Sequence, residues 1–148
     1  MDNKLQVVLQ LFGKVGTPKA DYSCAVESTI LLHGRMFITE RFLNFYSNFF
    51  GVEKKIVIPL SVILEIEKAN TALVIPNALA VKTSRKTYIF RSFWDRDSTY
   101  DLLCRQWKDV IGGLQSHEPS LTDTVLHPYS ANVAQARRAS SAETEVVP

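Results

Sequence analysis

Cysteine, histidine, glycine and long apolar runs are all scarce here: 148 residues carry two cysteines, three histidines and six glycines. Each shortage excludes a class of function. Cys24 and Cys104 stand too far apart for a disulfide framework or a metal-ligand spacing, and read as reduced, buried thiols of a cytosolic protein. His117 and His127 fall in a polar C-terminal stretch, and no His/Cys/Asp/Glu cluster has ligand spacing. Cys24 and His33 lie in neighbouring segments, but nothing orients them as nucleophile and base. There is no Gly-rich phosphate loop and no G-x-S-x-G. The expectation is a non-enzymatic chain needing neither cofactor nor metal. No apolar run approaches the roughly 18 residues of a membrane span. Leu5 to Phe12 is interrupted by Gln6 and Gln10, and no small-residue cleavage site follows, so it is no signal peptide. Any meeting with a membrane is from the surface.

What is present is ordinary for one globular domain with a tail. Apolar residues make up 46% and charged residues 22%, enough to bury a core. The net charge is +2, too weak for a typical nucleic-acid binder, so no nucleic acid is expected. The charge is uneven: 15 Lys and Arg stand against 11 Asp and Glu up to Gln115, and 2 against 4 from Ser116 onward. A basic domain thus carries an acidic tail, which favours an anionic partner for the domain.

Period-2 alternation dominates the middle of the chain. In Ile30 to Thr39, Met36 and Ile38 face away from His33 and Arg35. A turn at Thr39-Glu40-Arg41 leads into a second run. The pattern predicts strands over about 28–38, 42–50, 56–60, 62–66, a short 72–75, 79–83 and 88–93. Pro59 and Pro76 stop two of them, and Ser84-Arg85-Lys86 is a polar turn. Leu43, Phe45, Ile58, Leu64, Phe90 and Trp107 are expected core.

Helical periodicity flanks the strands. Leu5, Val8, Leu9, Phe12 and Val15 suggest a short N-terminal helix, stopped at Gly16-Thr17-Pro18, that packs on the domain. Tyr100, Leu103, Cys104, Trp107, Val110, Ile111 and Leu114 define a longer one, capped by Asp97 or Ser98 and ended at Gly112-Gly113. A helix with a broad apolar stripe after about seven strands covers or plugs a sheet. From Ser116 on, Ser, Thr, Ala, Glu and Pro dominate and predict disorder. Arg137-Arg138-Ala139-Ser140 fits a basophilic kinase site, which makes Ser140 a candidate phosphosite. The divisions are 1–20 helix and linker, 21–115 domain and 116–148 tail.

Arg35, Arg41, Lys54, Lys55, Lys82, Arg85, Lys86 and Arg91 sit on strands and turns. They suit a lipid headgroup or an anionic bilayer, or equally a solvated face.

Three stretches together resemble the GRAM domain family: Tyr22-Ser23-Cys24-Ala25, Ile30 to Phe37, and Phe45-Tyr46-Ser47-Asn48-Phe49-Phe50-Gly51. Ile58-Pro59-Leu60, Thr71-Ala72, Ile75-Pro76-Asn77-Ala78 and Ser92 to Asp97 continue the likeness in the same order, over about Leu5 to Gly113. The resemblance implies a mainly β, pleckstrin-homology-like barrel or sandwich of about seven antiparallel strands, capped by a C-terminal helix. It implies a peripheral module on the cytosolic face of membranes, endoplasmic-reticulum contact sites among them, that binds anionic phospholipids such as phosphoinositides or phosphatidylserine. The candidates for headgroup contact are Arg35, Arg41, Lys54, Lys55, Arg85 and Lys86. The rival implication is a protein-interaction module that takes a peptide or a small GTPase in a groove beside the last helix. Asn70 and Leu73 stand where similar domains often carry Lys, which removes positive charge from that loop. The chain reads as a stand-alone module or a fragment, with no sterol-carrying domain or membrane anchor in these residues.

Overall fold

A computed structural model describes residues 3–116 and 143–148. Ser140, Arg137, Arg138, His117 and His127 lie outside the described residues. Helix α1 (Asn3–Phe12) comes first. The strands β1 (Pro18–Glu27), β2 (Leu31–Thr39), β3 (Phe42–Phe49) and β4 (Val52–Pro59) follow, then a 3-10 turn (Leu60–Val62). The strands β5 (Ile63–Thr71), β6 (Ile75–Thr83) and β7 (Thr87–Arg91) lead to α2 (Arg96–Ser116), and β8 (Glu143–Val146) ends the series. One eight-stranded sheet runs in the order β5-β6-β7-β1-β2-β3-β4-β8.

Strand directions decide where the turns emerge. Every pairing from β5 to β4 is antiparallel, including β1 with β7. Direction therefore alternates across the sheet. Turns 28–30, 50–51 and 84–86 leave at one end, called the upper end here. Turns 40–41 and 72–74 and the link 92–95 leave at the lower end.

Two apolar clusters hold the sheet. The larger fills its concave side with Met36, Ile38, Leu43, Phe45, Ile56, Ile58, Leu79 and Phe90, and α2 adds Leu103 and Cys104. Trp107 is partly buried against it and donates from Nε1 to the Ile63 carbonyl at 3.2 Å. The smaller cluster lies on the outer face, where Val8 of α1 and Val15 meet Phe37 and Val57. Phe12 sets its ring edge-on to Phe37 at 5.9 Å. Helix α1 therefore packs on the sheet, as its periodicity predicts. Thr39 ties down the linker by donating to the Val15 carbonyl at 2.7 Å.

Several sequence expectations shift. Strand β1 is missing from the period-2 reading because its first half is polar and its pairing with β2 slips between Pro18 and Ala20. Leu64, expected in the core, is 62% exposed, while Ile63 and Ile66 are buried. The β5–β6 ladder shifts register between Ile63 and Glu65, and such a bulge turns the alternation over. Residues 72–74 form a turn instead of a strand, with Ala72 and Leu73 at φ of 50° and 69°. Pro76 lies inside β6 but outside its ladder with β7, which starts at Leu79, so its missing N–H leaves that pairing intact. The cap of α2 is Asp95 instead of Asp97 or Ser98. Its carboxylate accepts from the Ser98 N–H at 3.1 Å and the Ser98 hydroxyl at 2.7 Å, and these bonds hold its pKa below the usual value. Helix α2 runs through Gly112-Gly113 to Ser116. Finally, the stretch read as disordered tail ends in a strand, β8, parallel to β4 with Lys54 opposite Glu143 and Val57 opposite Val146. A four-residue strand with one valine, followed by Val147, leaves too short a pattern to stand out in polar sequence.

Candidate membrane-facing site

The upper end is built from three turns. The β3–β4 turn is a two-residue hairpin, Phe50-Gly51, with φ of 50° and 79°. Positive φ at both central positions matches the twist of the flanking strands. Glycine takes such a φ freely, but phenylalanine does so only at a cost. The strain goes to a residue that packs little, since Phe50 is 90% exposed. Its ring leans on Phe49 at 4.5 Å, and Phe49 stacks on His33 at 5.8 Å. Ile30 in the β1–β2 turn and Val52 at the start of β4 are also exposed. An apolar rim thus crowns two adjacent hairpins.

Cations stand beside this rim. Lys54 and Lys55 lie just inside β4. Lys55 faces Glu53 at 3.7 Å, and Lys54 is buried. Arg85 and Lys86 occupy the β6–β7 turn. Thr83 shapes that turn, its hydroxyl donating to the Lys86 carbonyl and accepting from the Arg85 and Lys86 N–H groups. The Lys86 ammonium sits over the Tyr88 ring, 4.6 Å from its centre.

Between β4 and the β6–β7 turn lies Glu145 of β8. Its carboxylate takes the Tyr88 hydroxyl at 2.5 Å and the Lys86 ammonium at 3.0 Å. Burial pushes the Glu145 carboxyl up, but Tyr88, Lys86 and the charge of Lys54 more than offset this and hold it below the usual value. Burial and the Glu145 charge push the Tyr88 phenol far up. The backbone is tied as well: Val147 is buried and its N–H donates to the Val57 carbonyl at 3.1 Å. Glu145 and Tyr88 are the site residues that charge-pattern reading missed. The alternation Glu143-Thr144-Glu145-Val146-Val147 was the one available signal.

Of the six predicted headgroup cations, the upper end gathers Lys54, Lys55, Arg85 and Lys86. Arg35 stands apart on the face of β2, where its guanidinium pairs with Asp21 and donates to the Ser23 hydroxyl at 2.9 Å. Lys4 of α1 shares Asp21 at 2.7 Å. Arg41 belongs to the lower end. It lines a cavity of about 860 Å³ with Lys19, Phe42, Pro59, Val110 and Leu114. A second apolar group is also at the lower end: Leu73, Val74, Ile75 and a fully exposed Trp94. Arg96 joins the loops there by donating to the Ala69 carbonyl at 2.8 Å, and Lys68 pairs with Asp97 at 3.2 Å.

Cys24 and His33 do not meet as a catalytic pair. Cys24 is opposite Gly34 with its side chain in the core, where burial pushes the thiol far up, and His33 is exposed against Phe49. No helix among the described residues is long and apolar enough to cross a membrane.

A meandering, strongly bent antiparallel sheet with a C-terminal helix on its open side defines a pleckstrin-homology-like module. A p115-RhoGEF structure containing linker, DH and PH domains matches this fold with a TM-score of 0.51 at 10% identity, covering 74% of this chain and 34% of that one. The C-terminal domain of a Leishmania infantum protein of unknown role matches at TM-score 0.63 and 28% identity, covering 71% and 98%. The GRAM domain family profile matches residues 10–111, and the chain belongs to that family. It is 46% identical over 90 residues to the uncharacterized membrane protein C20F10.07 of Schizosaccharomyces pombe, covering 61% of this chain and 12% of that protein. Human GRAM domain-containing protein 2B is 42% identical over 98 residues, 66% of this chain and 22% of its own. Human Protein Aster-B is 41% identical over 91 residues, covering 62% and 12%. The chain thus spans less than a quarter of the length of these relatives.

Proposed function

We propose that this chain is a non-enzymatic, peripheral membrane module that docks its upper end on a bilayer containing anionic phospholipid on the cytosolic face. The observation that carries the reading is the convergence of three turns. They bring Lys55, Arg85 and Lys86 to the end that carries the exposed Ile30, Phe50 and Val52, with Lys54 buried just below. Apolar tips flanked by cations suit an interface where acyl chains lie under phosphate. Burying one Phe side chain contributes about 1.5–3 kcal/mol, and each cation near an anionic leaflet adds about 1 kcal/mol. Membership of the GRAM family, and a relative described as a membrane protein, favour the same reading. The lipids we assign are phosphatidylserine or a phosphoinositide, because the cations are donors for phosphate. Sedimentation with phosphatidylcholine vesicles, with and without phosphatidylserine or phosphoinositide, tests the reading. Greater pelleting with the anionic lipids at low salt, lost in Phe50→Asp with Arg85→Glu, is the expected result. Equal pelleting with neutral and anionic vesicles refutes it.

One observation favours a second reading. The lower-end cavity beside α2, with Arg41, Phe42, Pro59 and Val110 in its lining, has the size and mixed chemistry to take a peptide or a loop of a small GTPase. Arg41→Glu would abolish such binding and leave vesicle pelleting unchanged.

A further inference from the structure

Strand β8 is held unlike the other strands. It lies at the sheet margin and, among the described residues, pairs with β4 alone and is the sole parallel strand. Parallel ladders are slightly weaker per residue than antiparallel ones. Its side chains nevertheless fit specific places. Val146 joins the outer cluster with Phe37 and Val57, and Val147 enters the inner core. Between them in function is Glu145, which reaches the Tyr88 hydroxyl and the Lys86 ammonium and is drawn by Lys54. A short strand docked on one edge, with a carboxylate on a cluster of cations, is the arrangement of a peptide bound by strand addition.

We propose that residues 143–147 are a displaceable internal ligand: they occupy a strand-docking groove along β4 and place the Glu145 carboxylate on the Lys86 ammonium, which would otherwise be open to phosphate. The groove reads an extended segment by its backbone along Lys54 to Val57. It reads a carboxylate at the position of Glu145, with Lys86 and Tyr88, and an aliphatic side chain at the position of Val147. The docked strand and an anionic headgroup compete for Lys86, so the chain with β8 in place is the weaker lipid binder. The lipid half of this statement rests on the proposed function; the docking half does not.

The test uses the full chain and two variants. Val147→Asp removes the apolar anchor and adds a negative charge, so any gain in anion binding cannot come from added cations. Glu145→Gln keeps the shape and removes the charge. Hydrogen exchange along β4 and binding of a labelled peptide of residues 143–148 report on docking alone. The groove in wild type is filled in cis at an effective concentration of about millimolar. The labelled peptide should therefore bind Val147→Asp at least about tenfold more tightly than wild type, and β4 exchange should rise in both variants. Equal exchange and equal peptide binding in all three proteins overturn the proposal. So does a wild-type mass that doubles with concentration, since the strand would then come from a second copy. Anionic vesicles form the separate arm. Val147→Asp should pellet several-fold more than wild type. If docking behaves as described and no variant binds anionic vesicles, the lipid reading falls and the strand assignment stands.

Discussion

Lys86 and Glu145, 59 residues apart in sequence, meet at 3.0 Å with the Tyr88 hydroxyl on the same carboxylate. This contact joins the β6–β7 turn to a strand that pairs only with β4, across the mouth of the bent sheet.

The contact makes docking of β8 acid-sensitive. The carboxyl of Glu145 is held below its ordinary 4.5 in the folded state. Its contribution is therefore fully present above about pH 4.5 and is lost as the pH falls through the lowered folded value. The groups facing it are Lys86, Lys54 and Tyr88, and Tyr88, pushed far up, stays protonated throughout. An NMR titration following the Val147 amide should show a transition below pH 4.5 that is absent in Glu145→Gln. A Val147 shift that titrates identically in both proteins would contradict the assignment.

Gly34 of β2 lies against the backbone of β3 with no room for a side chain. A β-carbon there would overlap the Tyr46 carbonyl oxygen and stand 2.9 Å from the Phe45 ring. These are backbone and fully buried neighbours with little room to give. Gly34→Ala should destabilise by about 1–3 kcal/mol through overpacking, seen as a lower midpoint in urea with an unchanged slope. A change below about 0.5 kcal/mol would show that the ladder relaxes at no cost.

The bulge in β5 gives a contrast of its own. Leu64 is exposed and Leu79 fully buried. Leu64→Ser should fall within about 0.5 kcal/mol of wild type, while Leu79→Ala should cost about 2–5 kcal/mol. Comparable losses from both would place Leu64 in the core after all.

Much of the fold was legible because one face of most strands is buried. Met36, Ile38, Phe45, Ile58 and Phe90 all lie where alternation puts them, and the stripe from Leu103 to Trp107 finds the sheet. Strand β1 was not legible, since half of it is polar and its partners lie on other strands. The face of Leu64 depended on a bulge, which a period count cannot register. Cations could be listed from sequence, but their convergence depends on which turns share an end. That placed Arg85 and Lys86 with Lys54 and sent Arg41 to the other end. Arg35 looked free because its partners, Asp21 and Ser23, lie on the strand that was missed. Glu145 was hidden because its meaning comes from a contact with β7, not from its neighbours in the chain.

The two ends of the sheet offer competing apolar tips, so comparing them tests the account most directly. Vesicle sedimentation with phosphatidylserine should be measured for Phe50→Asp with Arg85→Glu at the upper end, and for Leu73→Asp with Trp94→Asp at the lower end. The upper pair should lose about 50-fold or more in binding, roughly the burial of one aromatic ring plus one cation, and the lower pair should bind like wild type. Loss confined to the lower pair would contradict the account and move the membrane to the turn at Leu73.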